Sequence, residues 1–506
     1  MSPATRNHKR STSPNDEQAP KDRQGRVLLV LSAAAFMASL DLFIVNVAFD
    51  SIGRDFHGAS LSDLSWILNG YAIAYAALLV PLGRLADRYG RKEGFLAGLA
   101  LFALASAACA LSPGLWWLVT FRVLQAAGAA ALTPTSLSLL LRATEPDRRA
   151  RAVRIWAATG ALAAAIGPVV GGLLVQAAWQ WVFVVNVPIA IVAVISAIRW
   201  VPDSRDATVE RTPDLLGAGV LAIAIGALAL SVVKGPDWGW SDARDVAGFV
   251  VAVVGIAFFA YRTTRHPVPV IEPAMLAVRT FAWSNIASLV FSIAFGAGLL
   301  STILWFQQVW GYGPVRSGLA IAPGPATVQV TALISNRLAR RGVPAGLIAA
   351  LGCLMLAAGY VFIAFSVGVH PQWVTQMLPG QLLIGGGVGF ALPTILSSGT
   401  SDLAPQRTAT GSAVINMNRQ IGTVLGVSIL VAILGTPVGL TQAHHVFRLA
   451  WLTIAGIGVA GAVVSVGITP SRRTSAASPS STARWRHPMA CRSPRRSTPA
   501  GRAEEG

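Results

Sequence analysis

Long apolar runs alternate with short polar segments along residues 27–470. A helix that crosses a bilayer needs about 20 mostly apolar residues, and fourteen runs meet this requirement. The tenth run is the weakest because it contains Pro323 and Pro325, which such helices tolerate where neighbours satisfy the freed backbone groups. The pattern predicts spans at 27–49, 64–85, 94–112, 115–141, 151–175, 181–201, 214–233, 245–262, 281–305, 317–336, 343–367, 374–398, 410–434 and 446–469.

Composition supports an all-α integral membrane protein. Of the 506 residues, 54% are hydrophobic and 12% are charged, whereas a soluble domain averages about a quarter charged residues. The sequence has no Gly-Lys dipeptide, so it lacks the Walker A loop that cradles nucleotide phosphates. Its three cysteines have no metal-like spacing. We therefore predict no enzyme activity, no cofactor and no metal site.

The distribution of basic residues predicts the orientation. With the N-terminus inside, 25 basic residues lie on the inner side and five on the outer side: Arg54, Lys234, Arg244, Arg316 and Arg448. The positive-inside rule then places both termini in the cytoplasm. We expect a multi-pass protein of a bacterial inner membrane, because residues 1–26 contain no apolar signal segment.

The net charge of +18 comes from many short loops rather than from one basic face. Nucleic-acid binding is therefore disfavoured, and the lipid bilayer is the expected partner. Residues 471–506 are rich in Ser, Arg and Pro and predict a disordered basic tail, because they cannot bury a core.

Two related halves are visible in the sequence. Gly128, Pro134, Pro146, Arg148 and Gly167 recur at a constant offset of 259 residues. We interpret this as a parallel repeat of six spans each, as in transporters whose halves rock about a central site. The predicted organisation is a polar N-tail at 1–26, a first bundle at 27–201, two inserted helices at 202–280, a second bundle at 281–470 and the tail at 471–506.

Several motifs resemble the major facilitator superfamily. Residues 83–92, Gly-Arg-Leu-Ala-Asp-Arg-Tyr-Gly-Arg-Lys, look like the signature between its second and third helices. With fourteen spans, the chain resembles the drug:proton antiporters of the QacA/EmrB type. Further marks of that family are Asp41 through Asn46 in span 1, Gly160 through Gly172 in span 5, Asn186-Val187-Pro188 in span 6, and Asn418-Arg419-Gln420 in span 13.

This resemblance implies two six-helix bundles plus two inserted helices, alternating access, and export of small amphipathic compounds in exchange for protons. We expect the monomer to be functional. Two alternatives remain open: an uptake symporter or facilitator for a small organic solute, and a non-transporting membrane sensor. The small-residue pattern of span 5 favours export, and the lack of a folded cytoplasmic module disfavours the sensor.

Asp41 and Arg122 are the candidates for proton coupling. Ionised side chains in a bilayer are costly, so their retention suggests a role. Desolvation and the opposite charge act on the carboxyl in opposite directions, which suits a group that binds and releases protons. Gln125, one turn from Arg122, offers further hydrogen bonds. The alternative is that the pair only fastens two helices together, although a buried ion pair rarely repays its desolvation.

The segment 83–92 is a candidate conformational gate, with Gly83, Asp87, Arg88, Gly90 and Arg91 as its residues. Asp87 is the informative one, because a carboxylate at a helix end can interact with the positive N-terminal dipole of a helix from the other half. We expect this contact when the protein faces outward. The alternative is an ordinary solvated loop charge.

Span 5 carries small residues at helical spacing, which permit close approach of another helix; they are Gly160, Gly167, Pro168, Gly171 and Gly172. In the family resemblance they form the antiporter packing motif. Ordinary packing is the alternative.

A substrate cavity is expected to be apolar and aromatic with few polar groups. The candidates are Phe43, Asn46, Gln125, Trp305, Gln308, Asn416 and Arg419. For Arg419 the alternative is that its guanidinium bonds backbone carbonyls or binds an anionic group.

Overall fold

The computed structural model describes residues 14–205, 212–404 and 407–469, with side chains from Gln24 onward except that of Ala150. Every regular element in these ranges is helical. Within these ranges, fourteen segments are long and apolar enough to cross a membrane, which confirms the predicted number. We call them spans 1 to 14; they are Gln24–Asp55, Leu61–Tyr89, Arg91–Ala110, Leu115–Ala143, Pro146–Ala177, Trp181–Trp200, Leu215–Trp238, Ala243–Arg265, Arg279–Val309, Pro314–Arg340, Ala345–Ser366, Leu378–Ser401, Thr408–Leu434 and Leu440–Val466.

Four helices differ from the predicted outlines. The helix of span 1 already begins at Pro14, within the predicted polar tail. Span 6 consists of two pieces, Trp181–Val184 and Asn186–Trp200, and span 10 of Pro314–Ile321 and Pro323–Arg340. Proline is favoured at the first turn of a helix because its missing N–H is not needed there. Span 9 ends in a π-helical turn, Trp305–Val309. The predicted tail at 471–506 lies outside the described residues.

Local sequence explains several helix starts. Ser60 and Asp63 form a capping box at the start of span 2. Asp242 accepts a hydrogen bond from the backbone N–H of Arg244 at the start of span 8. The side chain of Arg244 also donates to this carboxylate, and these hydrogen bonds lower the pKa of Asp242. Short helices Pro273–Leu276 and Trp373–Gln376 precede spans 9 and 12.

Helix packing follows the same pattern in the two halves. Span 1 packs against span 5, span 3 against spans 4 and 6, and span 2 against span 4. The corresponding contacts, with each span number increased by eight, join 9 to 13, 11 to 12 and 14, and 10 to 12. The exact boundaries of the two bundles stay a prediction.

The halves meet along two helix pairs, spans 2 and 13 and spans 5 and 10. Span 7 packs beside the first of these pairs, and span 8 packs on span 7 and is the least buried span. We call the membrane side on which span 1 begins the basic side, since it carries residues 83–92, and the other the opposite side.

Candidate functional site: a buried ion pair and the contacts between the halves

Asp41 of span 1 and Arg122 of span 4 form an ion pair inside the first half. Their side chains are 0% and 1% exposed, respectively. Arg122 Nη1 donates to Asp41 Oδ2 at 2.5 Å. Each charge has left water, so each needs the other and further hydrogen bonds to offset its desolvation.

Neutral polar side chains complete this network. Gln125 accepts from Arg122 Nη1 at 2.7 Å and donates to Asp41 Oδ1 at 2.9 Å. Its Nε2 also donates to Ser106 Oγ of span 3 at 2.7 Å. Asn186 of span 6 donates to Asp41 Oδ1 at 3.0 Å. The carboxylate therefore receives hydrogen bonds from two different spans, in a site built by five of the six helices of the first half when span 2 is included.

Span 2 contributes to Arg122 from the other side. Arg122 Nε donates to the carbonyl of Ile67 at 3.3 Å, and its guanidinium lies 4.1 Å from the centroid of the Tyr71 ring. A cation over an aromatic face is stabilised electrostatically, more strongly when desolvated. The Tyr71 hydroxyl and Asn186 Oδ1 are buried and have no hydrogen-bond partner among the described residues.

The structure thus brings together Asp41, Arg122 and Gln125, as the sequence predicts. Sequence reasoning assigned no such role to Asn186, Ser106 or Tyr71. Asn186 stood in a motif of the family resemblance, which was the available signal. Tyr71 could not be recognised, because a tyrosine within an apolar span is an ordinary packing residue.

The small residues of span 5 face two different helices. A Cβ added at Gly167 would lie 2.7 Å from Phe43 Cβ, and one at Gly171 would lie 3.1 Å from Ile44 Cα, both in span 1. Gly160 also faces span 1, next to Ser39. Gly172 instead faces span 10, where an added Cβ would lie 2.6 Å from the Pro314 carbonyl oxygen.

Span 10 also has a glycine at this contact with span 5. A Cβ added at Gly318 would overlap the carbonyl oxygen of Pro168. The second helix of span 10, Pro323–Arg340, has much less contact with span 5 than the first, Pro314–Ile321. Spans 5 and 10 therefore touch near the opposite side and separate toward the basic side.

Polar contacts reinforce this junction on the opposite side. Gln307 of the π-helical turn donates to the carbonyl of Val47 in span 1 at 2.9 Å. Asn69 of span 2 donates to Ser428 Oγ of span 13 at 3.3 Å. One apolar cluster also includes residues of both halves, among them Ile44 and Leu300. On this side the halves form a continuous packed layer.

The predicted gate residues lie at the basic side. Asp87 accepts from Arg91 Nε at 2.6 Å, so its ion pair lies within the segment 83–92. Gly90 has φ of 144°, a value that favours glycine. Gly83 packs against Pro134 of span 4, and the Arg88 guanidinium lies 5.1 Å from the Tyr89 ring centroid.

A further contact at the basic side joins the halves through the linker. Glu272, just before span 9, accepts from Arg84 Nη2 of span 2 at 3.0 Å. Its other oxygen pairs with Arg407 Nε at the start of span 13, also at 3.0 Å. Sequence reasoning missed Glu272, because nothing in a loop sequence indicates which arginines will surround it.

Residues 31–427 match the family model of the Major Facilitator Superfamily. The chain belongs to this superfamily. It is similar to the multidrug resistance protein Stp of Mycobacterium tuberculosis (strain CDC 1551 / Oshkosh), with 32% identity over 426 residues, 83% of this chain and 78% of that protein. It is also similar to the tetracenomycin C resistance and export protein of Streptomyces glaucescens, with 31% identity over 430 residues, 83% of this chain and 77% of that protein.

A solved structure shares the fold of this superfamily member. It is a bacterial homolog to the human lysosomal transporter Spinster in an inward-facing and unoccupied conformation, with a TM-score of 0.61 and 16% identity. The match covers 88% of this chain and 97% of that chain. The protein is thus a multi-pass membrane transporter of the major facilitator fold.

The transporter places its predicted substrate residues in different surroundings. Phe43 is half-buried against Gly167, and Asn46 donates to the carbonyl of Leu42 in its own helix at 2.6 Å. Asn416 donates to the carbonyl of Ser412 at 2.9 Å. Arg419 is half-buried.

Two predicted substrate residues of span 9 have contrasting surroundings. Trp305 is fully buried in an aromatic cluster with Phe447 and Trp451 of span 14, at centroid distances of 5.2 Å and 5.0 Å. Gln308 is exposed, and its neighbour Gln307 is the residue that turns toward span 1. A π-helical turn holds more residues than an α-helical one and so rotates the side chains that follow it.

Proposed function

We propose that this transporter is a drug:proton antiporter that exports small amphipathic compounds in exchange for protons by alternating access. The observation that carries the proposal is the fully buried Asp41–Arg122 network in the first half. When a carboxylate in this network binds a proton, it loses its charge and the attraction to Arg122; when it releases the proton, it regains both. In a buried network such a change alters which partners the neighbouring groups can keep.

Span 1 supplies the physical connection between this carboxyl group and the second half. Two residues after Asp41, Phe43 packs against Gly167 of span 5, and Ile44 packs against Gly171. Six residues after Asp41, the carbonyl of Val47 accepts the hydrogen bond of Gln307 from the second half. A shift of span 1 is therefore transmitted both to span 10, through span 5, and to span 9.

The proposed coupling step is an exchange of partners. A proton on Asp41 removes its negative charge, and Arg122 then relies on the Tyr71 ring and on the Gln125 oxygen. Asn186 Oδ1, which has no partner in the described conformation, accepts the hydrogen bond that a protonated Asp41 donates. Release of the proton on the basic side restores the ion pair.

The segment 83–92 is the proposed gate of the basic side. Asp87 exchanges its ion pair with Arg91 for the N-terminus of a helix of the second half when this side closes. The described contacts of spans 5 and 10 fit the complementary state, in which the opposite side is closed.

The proposed direction rests on charge and on relatives. The basic side is the cytoplasmic side under the positive-inside rule, so both termini are cytoplasmic. The relatives bear names that denote multidrug resistance, and resistance to and export of tetracenomycin C. We propose export from a bacterial cytoplasm by a functional monomer.

The test is accumulation of fluorescent amphipathic compounds in inverted membrane vesicles with an imposed proton gradient. Wild type is expected to accumulate them, and Asp41→Asn at matched abundance is expected to lose the gradient-driven part. Thr120→Val is the matched control, because Thr120 is exposed near Arg122 and bonds only to the Trp116 carbonyl of its own helix.

Equal gradient-driven accumulation by wild type and Asp41→Asn would show that Asp41 is not the coupling site. Accumulation that does not respond to the gradient in wild type would rule out proton antiport.

A further inference from the structure

Arg419 is a charge without a counter-charge deep in the second half. It is the twelfth residue of the 27-residue helix Thr408–Leu434, so it lies roughly 16 Å along the helix from its start at 1.5 Å per residue. Spans 9 to 14 contain no Asp or Glu. In the first half, Asp41 is already paired with Arg122.

The contacts of Arg419 leave its guanidinium available. Among the described residues it takes part in no ion pair, hydrogen bond or ring contact, whereas Arg122 has all three. Its side chain is half-buried, so part of it is accessible to solvent. Thr423 bonds to the Arg419 backbone carbonyl, which leaves the side chain uninvolved.

Its position is at the junction of the two halves. Met417 and Ile421, two residues to either side of Arg419, lie in one apolar cluster with Ala76 of span 2, and spans 2 and 13 are one of the two helix pairs that join the halves. Asn416, one turn earlier, is a half-buried amide next to this position. A group bound here would touch helices from both halves.

An unpaired guanidinium at this depth is costly unless water or an anion solvates it. Its planar fork of donors matches a carboxylate or sulfonate, and charge-assisted hydrogen bonds of this kind are the strong ones. A cation would gain nothing, because no uncompensated acid is described in the middle of these spans.

We propose that Arg419 binds the acidic group of the substrate and that the exported compounds are amphipathic monoanions, such as carboxylates or sulfonates. This inference rests on the proposed function, whose substrate class it specifies. It has an energetic consequence: exchange of one exported anion for one imported proton moves two positive charges inward. The membrane potential then drives export together with the proton gradient, whereas exchange of a monocation for one proton is electroneutral.

The test uses pairs of dyes with the same ring system and opposite charge, in the inverted vesicles described above. One pair is pyrenebutyrate and its trimethylammonium counterpart; the other is sulforhodamine B, a sulfonate with a single net negative charge, and a cationic rhodamine ester. Uptake is measured with a proton gradient, and again with a membrane potential alone. Wild type is expected to accumulate the anionic dyes and to respond to the potential.

The variants separate charge from shape. Arg419→Gln is expected to raise the half-saturating concentration of the anionic dyes by roughly ten- to a hundred-fold, the loss of a hydrogen bond to a charged group. Arg419→Lys is expected to have a half-saturating concentration between those of wild type and Arg419→Gln. Arg448→Gln is the matched control, because Arg448 is exposed near the start of span 14 and its guanidinium lies over the ring of Phe365.

The outcomes distinguish the two proposals. Transport of the cationic dyes alone, or anion transport unchanged in Arg419→Gln, overturns the inference about Arg419 and leaves proton-driven export standing. If wild type moves no dye of either charge, the proposed export of amphipathic compounds fails and the inference fails with it.

Discussion

At the scale of single residues, the charges of Asp41 and Arg122 compensate each other, so that replacing either residue alone leaves the other charge buried and unpaired. Asp41 Oδ2 receives the arginine, and Oδ1 receives Gln125 and Asn186. A buried ion pair contributes little net stability compared with an apolar replacement, but removal of one partner leaves a charge without compensation. The free energy of unfolding and proton-driven transport should therefore respond differently to replacement of one residue of the pair and to replacement of both.

We expect Asp41→Asn to destabilise the protein by about 3–5 kcal/mol, because Arg122 stays buried without its counter-ion. Arg122→Gln, added to Asp41→Asn, should recover most of this loss, since the pair is then neutral. Proton-driven transport should be absent from both variants. Thermal unfolding in detergent and vesicle transport measure the two properties on the same preparations.

Wild-type transport by the paired variant would mean that the two charges only hold helices together. A single variant as stable as wild type would mean that Arg122 finds another partner.

At the scale of elements, glycines decide how closely spans 5 and 10 approach on the opposite side. Gly172 and Gly318 each face backbone of the other helix, so a larger side chain cannot simply swing away. Overpacking a tight contact forces the elements apart. A larger side chain at either glycine would therefore weaken the contact that closes the opposite side of the transporter.

Gly172→Leu and Gly318→Leu should therefore open the opposite side and reduce transport at least ten-fold, whereas Gly219→Leu should not, because a Cβ there meets nothing within 4 Å. Ala320→Cys, buried in the apolar cluster of both halves, serves as the reporter in a background without native cysteines. A membrane-impermeant maleimide applied from the opposite side should label it faster in the two leucine variants. Equal labelling rates would show that these glycines do not control closure.

At the scale of the whole molecule, the two halves are joined unequally on the two sides of the membrane. The opposite side has helix-to-helix contact, polar bonds and a shared apolar cluster. The basic side has an apolar cluster shared by spans 2 and 13, which includes Val80 and Val414, and the linker residue Glu272 in partly exposed ion pairs with Arg84 and Arg407. Partly exposed ion pairs contribute little, about 0–1 kcal/mol each, so these two pairs can break at low cost.

The direction of transport depends on which side faces the cytoplasm. In single-cysteine variants, His57→Cys should react with an impermeant maleimide in intact cells, and Glu145→Cys should react only after permeabilisation; both positions are exposed, at the opposite and the basic side. The reverse pattern would contradict the positive-inside assignment, and the same mechanism would then import.

The site could be predicted in part because charge in an apolar span is conspicuous. Asp41, Arg122 and Arg419 stand out by their cost in a bilayer, and Gln125 follows from its helical spacing to Arg122. Asn186 and Tyr71 could not be found in this way, since neutral side chains are common in spans and nothing shows which ones face Asp41.

Hydrophobic runs along the chain are enough to predict the fourteen spans, because the bilayer demands continuous apolar helices of a certain length wherever the chain crosses. The rotation of each helix and the identity of its neighbours cannot be predicted from these runs, because they depend on how side chains pack between helices. The π-helical turn turns Gln307 inward and leaves Gln308 exposed, and Glu272 lies between two arginines that are far away in sequence. Such contacts exist only once the helices have assembled, since each requires groups from several spans to arrive at one place.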